Sequence, residues 1–231
     1  MNASQVIVAC EVFRPELHYI LGSGINNCYF LPQGLHRRPD VLNRTLQGII
    51  DGLEACYTAR NIFIAYGLCG NGLNGLRCRR ATLAALHSED CISVLHGLKA
   101  LSEPSMIDRT GTYYLSPGWL RYGNDALKEY HRCLSFVDQP TAREIVREML
   151  KSYHTVTFID TGIPHCKSER RHAREVATFL GLAYKEISGS TDWLAKSIPK
   201  ADGAGFITVQ PGRPFRTQMF LNSLPCPGRE P

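Results

Sequence analysis

Apolar residues in this chain come in short β-branched and aromatic runs, separated by stretches in which they recur every three or four positions. Val6 to Ala9, Cys28 to Leu31 and Ile62 to Ala65 read as strands. Between the last two, Pro39 to Leu53 places Leu42, Leu46, Ile49, Ile50 and Leu53 on one face and predicts an amphipathic helix with Pro39 in its first turn. Ala81 to Leu86 fits either a strand or a helix, and a helix is expected to begin near Cys91. Thr112 to Leu115 reads as a strand ending at Ser116-Pro117-Gly118-Trp119.

The alternation continues in the second half. Thr141-Ala-Arg-Glu144 has the form of a capping box opening a helix through Ile145 and Met149. Val156 to Ile159 is a strand ending at Asp160-Thr161-Gly162, and the next helix buries Ala173, Val176, Ala177 and Leu180 before stopping at Gly181. Leu182 to Ile187 and Phe206 to Val209 supply two more strands, with a short helix around Trp193. Strands separated by helices imply parallel pairing, so the expected fold is a layered α/β structure with a mostly parallel sheet, or sheets, flanked by helices. It is compatible with a single α/β domain or with two Rossmann-like halves, 1–135 and 136–212. The proline-rich residues 213–231 read as an irregular extension.

Composition narrows the class. With 231 residues, 44% of them hydrophobic, the chain can bury a sizeable core. A net charge of +5, with its cations scattered as Arg37-Arg38, Arg77 to Arg80 and Arg170-Arg171, reads as solvated surface and not as a nucleic-acid face. No run approaches the roughly 18 apolar residues of a membrane helix, and the apolar stretch before Cys10 is too short for a secretory leader. A cytoplasmic protein is expected. Nine cysteines, an odd number without a leader, argue against a disulfide framework and leave some as ligands or reactive thiols.

Candidate chemistry concentrates in Tyr66-Gly-Leu-Cys69-Gly70, where a buried strand ends in a glycine-flanked thiol. Cys10 and Cys91 occupy comparable positions. Three thiolates at the ends of separate elements, with His36 or water as fourth ligand, suit zinc or a [4Fe-4S] cluster with one iron open to a small-molecule substrate. Asp90 is placed to cap the helix that Cys91 begins, which predicts a lowered thiol pKa there. Glu11 and Asp160 are candidate acids or bases, and Tyr66 and Trp119 candidate pocket walls. Gly70-Asn71-Gly72-Leu73-Asn74-Gly75 fits a phosphate-binding G-x-G-x-x-G loop, although no acidic residue ends the next strand about 20 residues on.

Taken in order, Cys10-Glu11 with Glu16, Gly34-Leu-His36 with Pro39, Tyr66-Gly-Leu-Cys69-Gly70, Asp90-Cys91-Ile92, Gly111-Thr112-Tyr113-Tyr114 with Gly118-Trp119, Ile159-Asp160-Thr161-Gly162 and Pro211-Gly212 resemble the family catalogued as domain of unknown function 1638. The resemblance implies an α/β protein linked to one-carbon metabolism through neighbouring corrinoid-dependent methyltransferases, with a corrinoid protein as a partner. It matches Cys10, His36, Cys69 and Cys91. Similar members carry His-Asp-Cys where this chain has Glu89-Asp90-Cys91, so Glu89 or His87 would replace that histidine. Three readings follow: a metal or cluster enzyme on Cys10, Cys69 and Cys91; an accessory protein that carries nucleotide or corrinoid without turnover; and a thiol enzyme with Cys91 as nucleophile and His87 or His36 as base.

Overall fold

The computed structural model describes residues 5–56, 60–197 and 205–221. The first sheet contains β1 (Gln5–Cys10), β2 (Cys28–Leu31), β3 (Asn61–Ala65), β4 (Thr82–Leu86) and β8 (Phe206–Val209), ordered β2-β1-β3-β4-β8. All neighbours pair in parallel except β8, which closes the edge antiparallel to β4. β1 and β3 lie at the centre, covered on both faces. Accordingly, Ile7, Val8 and Ala9 and then Ile62 to Ala65 are buried without alternation. The second sheet, β5 (Thr112–Leu115), β6 (Thr155–Asp160) and β7 (Ala183–Ser188), is wholly parallel. The fold is a layered α/β structure.

Helices α1 (Arg14–Leu21), α2 (Pro39–Cys56), α3 (Cys91–His96) and α4 (Lys99–Ser102) belong to the first sheet's part of the chain. α5 (Pro117–Tyr122), α6 (Ala126–Cys133), α7 (Gln139–Met149) and α8 (Lys167–Leu180) accompany the second sheet. α9 (Asp192–Ser197) brings Trp193 back into the first core, and α10 (Thr217–Leu221) ends the described chain. α2 buries Leu42, Leu46, Ile50 and Leu53, the face its periodicity predicts. α8 stops at Gly181, whose left-handed φ of 72° a side chain would oppose.

Several expectations change. The sheets do not part the chain at residue 135: β5 belongs with β6 and β7, and β8 returns to the first sheet. Parallel pairing of β5 with β6 buries Leu115 against Phe158, a match that linear order cannot reveal. Asp138, not Thr141, caps α7, because an acceptor three residues earlier already holds the Thr141 amide. Within 213–231, Thr217–Leu221 is helical and Phe215 and Phe220 are buried, aromatic burial outweighing the surrounding prolines.

The two sheets meet where the loop after β1 packs against the carboxyl ends of β5 and β6. Glu16 of α1, fully buried, accepts a 2.9 Å hydrogen bond from Thr161 Oγ1, and its other oxygen has no partner. Burial raises the carboxyl from 4.5 to about 7, against smaller lowering from its hydrogen bonds and from Arg121. A folded-state pKa above the unfolded one contributes stability that is complete below pH 4.5 and is lost as pH rises through about 7. Wild-type stability should therefore fall across this window by at most about 3 kcal/mol. Glu16→Gln, which keeps an acceptor for Thr161, should flatten the profile. Denaturant midpoints at pH 5 and pH 8 that fall equally in both proteins would refute this.

Candidate functional site

In the first sheet the chain leaves β1 toward β2 on one side and continues through β3 and β4 on the other. Loops leaving β1 and β3 therefore diverge, opening a crevice beyond the strands' carboxyl ends. A cavity of about 260 Å³ occupies this place, lined by Cys10, Cys69, Cys91, His36, Tyr66 and Trp119 among others. Cys10 is the last residue of β1, Cys69 lies in the loop after β3, and Cys91 starts the helix after β4.

Backbone contacts explain why Cys69 and Cys91 stand together. Leu68 N donates to Ser88 O at 2.8 Å and Cys69 N to Glu89 O at 3.0 Å, so the loops after β3 and β4 run side by side. Gly67 permits the approach, since a Cβ there would sit 2.7 Å from Ser88 O. Cys69 itself takes φ 45°, a left-handed conformation that costs a non-glycine residue energy and is concentrated at functional sites. Asp90 caps α3 through a 3.1 Å bond from the Ser93 amide, as its position predicts, and its carboxylate also pairs with Arg109.

His36 enters from the 3-10 turn at Gln33–Arg37. Its Nδ1 lies 2.6 Å from the carbonyl of Gln33 and 3.2 Å from the side-chain Nε2 of the same residue, so Gln33 holds the ring in place. Metal-binding histidines are held in the same way. The ring also leans on Trp119 of α5, with centroids 5.8 Å apart, so the second sheet's loops contribute a wall.

The thiols are electrostatically coupled. Burial pushes Cys10 up to about 11. Cys69 rises to about 12 through burial and the neighbouring Cys10 and Asp90 charges, and Cys91 rises through burial and through Cys10, Asp90 and Cys69. The lowered Cys91 pKa expected from a helix start does not occur: desolvation of the thiol exceeds the help of a six-residue helix. Unaided thiolate nucleophilicity is thus disfavoured here, whereas a bound cation would reverse the balance and deprotonate its ligands. Among the described residues, no three His, Cys, Asp or Glu side chains already stand in metal-holding geometry, so ligation requires the thiols to turn toward one point.

Other candidates separate from the cavity. Glu11 sits 3.7 Å from Arg14 and does not line it. Asp160 pairs with Arg170 and accepts from the Gly162 amide at 3.1 Å, which makes it a turn cap and not an acid or base of this site. Gly70 lines the cavity, but the glycine motif is no phosphate loop: no helix follows it before β4. Gly72 packs on Leu42, with a Cβ position 2.7 Å from that side chain, and the Gly75 amide is used by Phe215 O at 2.9 Å. Glu89 reaches the cavity and His87 does not. The sequence reading missed Gln33 and Val12, Phe13 and Ile92; the last three directly follow, or come within three residues of, the predicted cysteines, which was the available signal.

Comparison with known families matches residues 30–198 to the model described as Protein of unknown function (DUF1638). No curated protein and no solved structure matches the chain. The match covers well over half of the sequence, and the chain belongs to this family. No helix among the described residues is long and apolar enough to cross a membrane.

Proposed function

We propose that this member of the DUF1638 family holds a metal centre on Cys10, Cys69 and Cys91 and acts on a small molecule in the adjoining cavity. The observation that carries the reading is the convergence of three thiols, Cys10 buried and Cys69 and Cys91 half-buried, beyond the ends of three neighbouring parallel strands at the switch point of the sheet. His36 is the fourth protein donor at rest and stands aside for substrate. Zinc would supply Lewis acidity, and a [4Fe-4S] cluster an iron open to substrate. Three thiolates suit either group. The chain's own contribution is to gather the sulfurs, hold the imidazole through Gln33, and wall the site with Phe13 and Trp119. The family likeness favours one-carbon chemistry, with a corrinoid protein as the partner in methyl exchange, and a thiolate-held metal also suits sulfur chemistry.

Metal analysis and an ultraviolet-visible spectrum of protein purified without oxygen test this. About one zinc per chain and no colour is the zinc outcome. Brown protein containing iron and sulfide is the cluster outcome. Metal-free, colourless protein that stays so after reconstitution would overturn the proposal.

A further inference from the structure

Tyr66 lies in the cavity wall between the end of β3 and Cys69. It is 2% exposed, and its hydroxyl is buried with no hydrogen-bond partner. The Cys10 thiol stands beside it, yet the pair does not meet hydrogen-bond geometry. A buried, unsatisfied hydroxyl costs stability, and phenylalanine would fill the same space without that cost. Packing therefore does not account for the phenol. Its position does: the hydroxyl borders the same space as the thiols of Cys10 and Cys69, where a ligand bound to the centre would lie. Val12, Phe13 and Ile92 are apolar; Gln33 and Trp119 also line the cavity, and the Trp119 indole N–H is likewise buried without a partner, so the test is aimed at the phenol alone.

Resting on the metal reading above, we infer that Tyr66 donates a hydrogen bond to the ligand at the open position. The ligand class is a small O-donor anion, such as a carboxylate, with one atom on the metal and a second lone-pair atom facing the phenol. Tyr66 is thus a ligand-contacting residue that selects for an acceptor.

The test is calorimetric titration of metal-loaded wild-type and Tyr66→Phe protein with acetate and with imidazole. Coordinated acetate keeps an oxygen free to accept, whereas coordinated imidazole has used its only lone pair. Acetate should bind the variant about tenfold more weakly or worse, and imidazole should bind both proteins equally. Equal losses for both probes would assign Tyr66 to packing. No loss for acetate, or no acetate binding to loaded wild type, would overturn the proposal. Metal content measured first separates these results from failure of the centre itself, since wild type that loads no metal removes both readings. Metal-free Tyr66→Phe should melt no lower than wild type, because the lost hydroxyl had no partner.

Discussion

Cys69→Ser should lose its metal while keeping its fold. Serine has nearly the size of cysteine and inherits the same backbone, so the left-handed φ of 45° is neither relieved nor worsened. The amide bonds from Leu68 and Cys69 to Ser88 and Glu89 involve no side chain and should survive. What disappears is one of three soft donors. Loss of outer-shell partners costs about 10- to 100-fold in metal affinity, so loss of a ligand should cost at least about 100-fold. Metal content after dialysis, read beside circular dichroism and the melting temperature, checks this. Full metal content in a folded Cys69→Ser protein would sink the thiolate centre. Cys133→Ser is the matching control: that thiol ends α6, away from the cavity, and its replacement should leave metal content unchanged. Cys226, the last of the nine cysteines, lies outside the described residues.

Gly118→Ala should be the most destabilising small substitution at the junction of the two sheets. A Cβ at Gly118 would stand 1.8 Å from the carbonyl oxygen of Val12, two residues beyond Cys10. Side-chain rotation cannot relieve a clash with backbone, so α5 must move away from the loop after β1. Overpacking of this kind costs on the order of 3 kcal/mol or more. The same shift would move Trp119 away from His36 and open the cavity wall. Urea denaturation of the variant that gives a midpoint within error of wild type would contradict this account of the junction.

Sequence pattern made most of the strands legible, because central parallel strands are apolar throughout and announce themselves as short runs. The central strands Gln5–Cys10, Asn61–Ala65 and Thr155–Asp160 enclose the runs read as Val6 to Ala9, Ile62 to Ala65 and Val156 to Ile159. What the pattern does not carry is partnership. Nothing in Thr112 to Leu115 says that it pairs with β6, and nothing in Phe206 to Val209 says that it pairs antiparallel with β4. α1, α5 and α6 went unread since they are short and partly polar, stabilised by tertiary contact and by caps such as Asp125. At the site, strand-end position and family likeness together located the three cysteines and His36. The glycine motif misled for a physical reason: Gly72 and Gly75 answer to Leu42 and Phe215, neighbours brought by folding and invisible in their own segment.

The antiparallel return of β8 bears on how the protein is made. β4 pairs with a strand more than a hundred residues further along, so during synthesis the first sheet emerges with a bare flank. That flank, Thr82 to Leu86, is apolar and offers unsatisfied amides and carbonyls to any neighbouring chain. Until β8 arrives, only dilution and chaperones guard it against pairing with another nascent copy. Chains interrupted before residue 205 should therefore accumulate in aggregates, carrying four of the first sheet's five strands and all three cavity thiols.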